Sequence, residues 1–221
     1  MTSEELAKFI DHTQLAPEAT SQDITKLCDE ARKFNVAAVC FSPSLLSLSA
    51  LLLAELTSSN IEIACVVGFP SGAHSGEVKA FEARHATQNG ATEIDMVANL
   101  GFVFSANWLE LGDEIAQVRA AIPAKTSLKV IIESAALTDA QIVATCRVAV
   151  ARGANFVKTS TGFHKSGGAT VEAVKLMRAT VGDAIGVKAS GGIRTRELAL
   201  QMIKAGATRL GTSATQAILA E

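Results

Sequence analysis

The sequence has no tyrosine, one tryptophan, four prolines and four cysteines in 221 residues. So few large aromatics leave little for base stacking on a single-stranded nucleic acid. Only Arg32 and Lys33 stand side by side as cations, so no polybasic stretch signals a nucleic-acid surface. Cys28, Cys40, Cys65 and Cys146 lie far apart with no Cys-x-x-Cys pair. They read as reduced thiols, not as a disulfide frame or a zinc site. His12, His74, His85 and His164 are scattered and no His-Glu-x-x-His occurs, so no metal is expected. Long apolar runs are missing too. The stretch from Leu45 to Leu56 contains serine, is too short to span a bilayer and predicts a buried helix. Met1-Thr2-Ser3-Glu4-Glu5 is acidic where a secretory leader is basic. The expectation is a cytoplasmic protein with no membrane or nucleic-acid partner.

What is present is a globular composition. Apolar residues make up 48% and charged residues 19%, which excludes a disordered chain. Surface scaling predicts a folded monomer of roughly 9,600 Å² that buries about 70% of its extended surface. Short β-branched runs alternate with amphipathic stretches. The runs are Lys8–Thr13, Val36–Ser42, Ile61–Phe69, Thr92–Asn99, Leu128–Ser134, Asn155–Ser160, Ile185–Ala189 and Thr208–Gly211. Between them, Ile24, Leu27, Cys28, Ala31 and Phe34 share a helical face, as do Leu111, Ile115, Val118 and Ile122. Thr138 with Gln141 fits a capping box. A weak repeat joins the units: Gly90-Ala91, Gly153-Ala154 and Gly206-Ala207 close helices, and Asp95, Lys158 and Gly211 follow each glycine by five positions. Asn35 stands in the same relation to Cys40. Eight β/α units without a dividing linker predict an α/β fold, a single (β/α)8 TIM barrel over residues 1–221. An open doubly wound sheet is the rival, and no Gly-x-Gly-x-x-Gly follows the first full strand.

In a barrel, chemistry gathers at the C-terminal strand ends. Lys158 in Phe156-Val157-Lys158 and Lys188 in Ile185-Gly186-Val187-Lys188 are costly in apolar strands, because burial strips their hydration. If Val157 faces the helices, Lys158 points inward, and Lys188 shares its space. Desolvation and like charge then predict that one of the two amines gives up its proton readily and becomes a carbonyl nucleophile. Asp95 would orient a lysine and shuttle protons. Snorkelling lysines and a purely structural ion pair are the alternatives; the convergence of three strands favours chemistry. Glu93 shares parity with Asp95 but is expected to be solvated at the strand entry. Gly191-Gly192 after the seventh strand and Gly211-Thr212-Ser213, opening the last helix, form a candidate phosphate site, with ordinary turn glycines as the alternative. Asp11, Cys40 and Thr161 are further pocket candidates. His12 reads as a satisfied core histidine, Glu133 as a charge balance for lysine, and Trp108 as packing.

These residues form motifs that resemble the deoxyribose-phosphate aldolase family of class I, Schiff-base aldolases. They are Ile10-Asp11-His12-Thr13, Val39-Cys40-Phe41-Ser42-Pro43, Val67-Gly68-Phe69-Pro70-Ser71-Gly72, Glu93-Ile94-Asp95-Met96-Val97, Lys129-Val130-Ile131-Ile132-Glu133, Val157-Lys158-Thr159-Ser160-Thr161-Gly162-Phe163 and Val187-Lys188-Ala189-Ser190-Gly191-Gly192-Ile193-Arg194. The resemblance implies reversible cleavage of 2-deoxy-D-ribose 5-phosphate to D-glyceraldehyde 3-phosphate and acetaldehyde, in deoxyribose catabolism. It implies Lys158 as the Schiff-base residue, Asp95 and Lys188 as a proton-relay pair, and Gly162, Gly191, Gly192 and Ser213 as phosphate positions. It further implies no metal or organic cofactor, and a homodimer. Two departures stand out. Some members carry a lysine where Phe163 stands, which leaves Lys165 or Arg194 as the phosphate cation. Some carry a C-terminal tyrosine, and this sequence has none.

Overall fold

The computed structural model describes residues 1–46 and 50–220. Its strands are β1 (Ile10–Gln14), β2 (Ala38–Phe41), β3 (Glu62–Val67), β4 (Glu93–Val97), β5 (Ser127–Ile131), β6 (Phe156–Lys158), β7 (Gly186–Ser190) and β8 (Arg209–Thr212). Each pairs in parallel with the next, and β8 pairs with β1 to close the barrel. All eight predicted strands are present, with ends moved by a few residues. The accessible surface is 9807 Å², close to the roughly 9,600 Å² that scaling gives for one compact domain of this mass.

The repeat seen in the sequence has a structural cause. Helix Ser21–Phe34 ends on Asn35 in the left-handed region (φ 52°), and the Val36 amide donates to the Ala31 carbonyl. The same five-residue reach recurs from Ala91 to Ala86, from Ala154 to Ala149 and from Ala207 to Met202. Such a closure satisfies carbonyls that the helix end would leave bare. It also launches each following strand in the same phase. Cys40, Asp95, Lys158 and Gly211 therefore all face the inside of the barrel.

Strand alternation then sorts the side chains into two populations. Val39, Ile63, Ile94, Val130, Val157 and Val187 face outward into the apolar shell beneath the helices, against Ile24, Leu27, Ile115, Val118 and Cys146. The predicted helical faces supply this shell, and Thr138 with Gln141 forms its capping box. Inside the barrel, Cys40, Ala64 and Val66 make a small apolar pad. Beside it the strands bring together a cluster of charged side chains. Trp108 packs against the core as expected.

Two local expectations need correction. Within Leu45–Leu56, residues 47–49 lie outside the described part, and a helix runs over Ala50–Ser58. It is not buried all round: Leu53 and Leu56 are buried, but Leu51 is 84% exposed. The chain covers one face of this helix only. The last helix, Thr215–Leu219, starts later than expected, with Ala214 at its N-cap. Gly211 and Thr212 belong to β8, and Ser213 lies in the turn. None of the described helices is long and apolar enough to cross a membrane.

Candidate active site

Register sets the height of the charged side chains. Asp95 on β4 pairs with Lys129 on β5, Lys158 on β6 with Lys188 on β7, and Lys188 with Arg209 on β8. With Val157 outward, Lys158 points inward, as expected. Asp95 is the hub. Its Oδ2 accepts from Lys158 Nζ at 2.8 Å and from Lys188 Nζ at 2.7 Å, and its Oδ1 accepts from Lys129 Nζ at 2.7 Å. Lys188 also donates to Asp11. Lys129 reaches Glu93 at 2.5 Å. Arg209 closes the ring, donating to Asp11 at 2.6 Å and to Glu93 at 3.0 Å. Asp11, Asp95, Lys129 and Lys188 are fully buried, and Lys158 is 3% exposed.

The charges hold one another. Burial opposes the Asp95 carboxylate, but Lys129, Lys158 and Lys188 outweigh it and keep Asp95 well below the usual carboxylate range. Burial likewise opposes Asp11, yet Lys188 and Arg209 lower it to about 2. Burial disfavours the Lys188 ammonium, but Asp11 and Asp95 raise it above an ordinary lysine. Asp95 and Glu93 do the same for Lys129 against its burial, and Asp11 and Glu93 for Arg209. This revises the picture of two bare amines repelling each other. Lys188 is a firmly held cation between two carboxylates.

The reason lies in partners that the sequence reading left out. Lys129 and Arg209 obey the same alternation as Lys158, in Leu128-Lys129-Val130 and Thr208-Arg209-Leu210, and could have been placed inward by that rule. Glu93 was expected in solvent but is 4% exposed, because Lys129 and Arg209 cover it. Glu133 does not balance a lysine. Its carboxylate accepts from the Thr161 amide and hydroxyl, which anchors the turn after β6. His12 is satisfied as expected, by Glu30 and Thr215.

Above the cluster lies a cavity of about 400 Å³, lined by Lys158, Thr161, Gly162, Gly191, Gly192 and Ser213 among others. Lys158 is the one member of the charged cluster that lines it. On one wall, Gly191 makes a close backbone approach to Gly168 behind it. A Cβ on Gly168 would fall 2.2 Å from the Gly191 carbonyl oxygen, and one on Gly191 would fall 2.9 Å from the Gly168 Cα. Gly191 and Gly192 both take positive φ, 88° and 83°, which side chains disfavour. Arg194 also lines this cavity, and Lys165 does not. Phe163 packs edge-on against Phe69 at 5.3 Å and gives the cavity an aromatic wall. Asp11 and Cys40 do not line the cavity. Asp11 lies beneath Lys188, and Cys40 is buried in the pad between β2 and β3. Burial raises the Cys40 thiol above an ordinary cysteine. Among the described residues, no group of three or more His, Cys, Asp or Glu side chains is placed to hold a metal.

The lumen of this closed eight-stranded β/α barrel presents one lysine to a glycine-walled cavity at the C-terminal strand ends, where barrels of this class place their sites. The family model of the DeoC/LacD family aldolases matches residues 6–218. The chain belongs to that family and is an aldolase, a carbon–carbon lyase. It is 54% identical to the deoxyribose-phosphate aldolase of Kocuria rhizophila over 219 residues, covering 99% of this chain and 97% of that one. It is 51% identical to the enzyme of that name from Corynebacterium diphtheriae, covering 100% and 98%. The solved tetrameric deoxyribose phosphate aldolase of Aeropyrum pernix superposes with a TM-score of 0.88 at 31% identity, covering 99% and 91%.

Proposed function

We propose that this chain reversibly cleaves 2-deoxy-D-ribose 5-phosphate to acetaldehyde and D-glyceraldehyde 3-phosphate through an imine on Lys158. The observation that carries this reading is the placement of Lys158, which alone joins the ionic cluster to the cavity. The amine adds to C1 of the open-chain sugar, and loss of water leaves a protonated imine. That imine is an electron sink two bonds from the breaking bond. The C3 hydroxyl loses its proton, the C2–C3 bond breaks, and its electrons form the enamine. The three-carbon phosphorylated aldehyde leaves. Protonation of the enamine carbon and hydrolysis then release acetaldehyde and Lys158. Asp95, with Lys188 behind it, is the proton-transfer pair, being the carboxylate in contact with the Lys158 nitrogen.

The phosphate lies at Gly162, Gly191, Gly192 and Ser213, across the cavity from the imine, and Arg194 supplies the cation that Phe163 cannot. Arg194→Ala is expected to raise KM for the phosphorylated sugar by roughly tenfold, the scale of one charge-assisted contact. The value for unphosphorylated 2-deoxyribose should stay put, and equal changes for both sugars would remove Arg194 from the phosphate site. The reaction needs no metal or organic cofactor. An enzyme-coupled assay for D-glyceraldehyde 3-phosphate should give the same rate with and without excess chelator. No aldehyde released from 2-deoxyribose 5-phosphate would overturn the substrate assignment.

The protein works in the cytoplasm, where its four free, buried thiols stay reduced. Self-association as a homodimer belongs to the same proposal. Val78 and Phe81, 51% and 62% exposed on helix Gly76–Gln88, are apolar groups of the kind a second subunit covers.

A further inference from the structure

The balance of charge inside the barrel gives a role to a residue that does not line the cavity. Three carboxylates, Asp11, Glu93 and Asp95, face four cationic side chains, Lys129, Lys158, Lys188 and Arg209. The Cys40 and Cys65 thiols lie beside them, and burial keeps both protonated. Lys129 and Lys188 each span two carboxylates, and so does Arg209. Those three cations match the three carboxylates. Lys158 has one contact, to an Asp95 oxygen that Lys188 already uses.

We propose that Arg209 is a positioning residue for Lys158: by engaging Asp11 and Glu93 at the N-terminal end of the barrel, it completes a balanced set and leaves Lys158 as the surplus ammonium. The inference rests on the imine reading, since only a nucleophilic amine benefits from being surplus. The geometry supports a built device. The Arg209 guanidinium bridges carboxylates on β1 and β4 with one nitrogen for each, Nη1 to Asp11 and Nη2 to Glu93, a planar fork that fixes both contacts in one orientation. Its guanidinium and the Lys129 ammonium each lie 5.9 Å from the Phe156 ring centre. That ring fills the gap left opposite by Gly186, where a Cβ would fall 2.0 Å from it.

The test uses opposite signs. Arg209→Met removes a cation, so Lys158 becomes the third partner of the carboxylates and holds its proton. The acid limb of the kcat/KM profile should move up by about one pH unit, the scale of one nearby charge. Glu93→Gln removes a carboxylate and enlarges the surplus, so the same limb should move down. The double variant, which removes one charge of each sign, should return close to the parent profile, and Arg209→Lys should rescue most of the shift. A merely structural Arg209 would lower kcat in Arg209→Met without moving the limb, or move both single variants in one direction; either result overturns the proposal. Should Arg209→Met fail to fold, the downward shift of Glu93→Gln and the restored double variant decide, and an unmoved limb in Glu93→Gln overturns it. Borohydride trapping with acetaldehyde, run on the same proteins, separates the two readings. A label on Lys158 with unmoved limbs rejects only the role of Arg209, whereas a label on another lysine rejects the imine reading.

Discussion

Lys158→Met is expected to lower kcat by about 10⁴-fold or more while leaving the barrel as stable as the parent. The loss follows because no other amine of the cluster lines the cavity, so none can replace the nucleophile. The retained stability is the less obvious half. Removing a partner from a buried ion pair ordinarily costs about 3–5 kcal/mol, because an uncompensated charge stays behind. Here Asp95 keeps Lys129 and Lys188 at 2.7 Å each, and the remaining three cations match the three carboxylates. Methionine has nearly the shape of the lysine stem. Urea unfolding should therefore give an unchanged or slightly higher midpoint. A drop of several kcal/mol would show that Lys158 is needed to neutralise the lumen, and the charge count would be wrong.

Asp95→Asn should do damage of both kinds. It leaves four cations against two carboxylates in a closed space, and three lysines lose their common acceptor. A stability loss of about 3–5 kcal/mol is expected, with kcat reduced by about 10²–10⁴ as proton transfer at the imine nitrogen loses its base. The pH dependence carries a further sign. A carboxylate lowered on folding contributes stability above its unfolded value, and that contribution disappears as pH falls through the folded value. For Asp11, lowered from 3.8 to about 2, the window runs from near pH 4 down to near pH 2, and Asp95 is lowered in the same direction. The parent should lose stability steeply in that range, and Asp95→Asn less steeply, because one of the protons taken up is gone. An Asp95→Asn variant as stable as the parent would contradict its place as the hub.

The barrel was legible because its information is local. Alternation within Phe156-Val157-Lys158 sets which side chain enters the lumen, and Asn35, Gly90, Gly153 and Gly206 set the phase of four strands. The convergence of Lys158, Lys188 and Asp95 followed from that rule alone. What alternation does not encode is the partner. Asp11 meets Lys188, and Glu93 meets Arg209, across strands distant in the chain, so the balance of charge emerges only when the sheet closes. Glu93 was misjudged because the first residue of a strand usually faces water, and here an arginine from the last strand covers it. Glu133 was misjudged because its backbone leaves β5 in a left-handed turn (φ 57°), which aims the carboxylate at Thr161 and away from the lumen. Lys129 and Arg209 needed no new signal, only the same parity argument applied to every strand.

The most direct test of the central claim is to incubate the protein with acetaldehyde, reduce with borohydride, and locate the adduct by peptide mass spectrometry. The account predicts an N-ethyl group on Lys158 and none on Lys129 or Lys188, with activity lost in proportion to labelling. An adduct on either of those lysines, or full activity after Lys158 is stoichiometrically labelled, would contradict it.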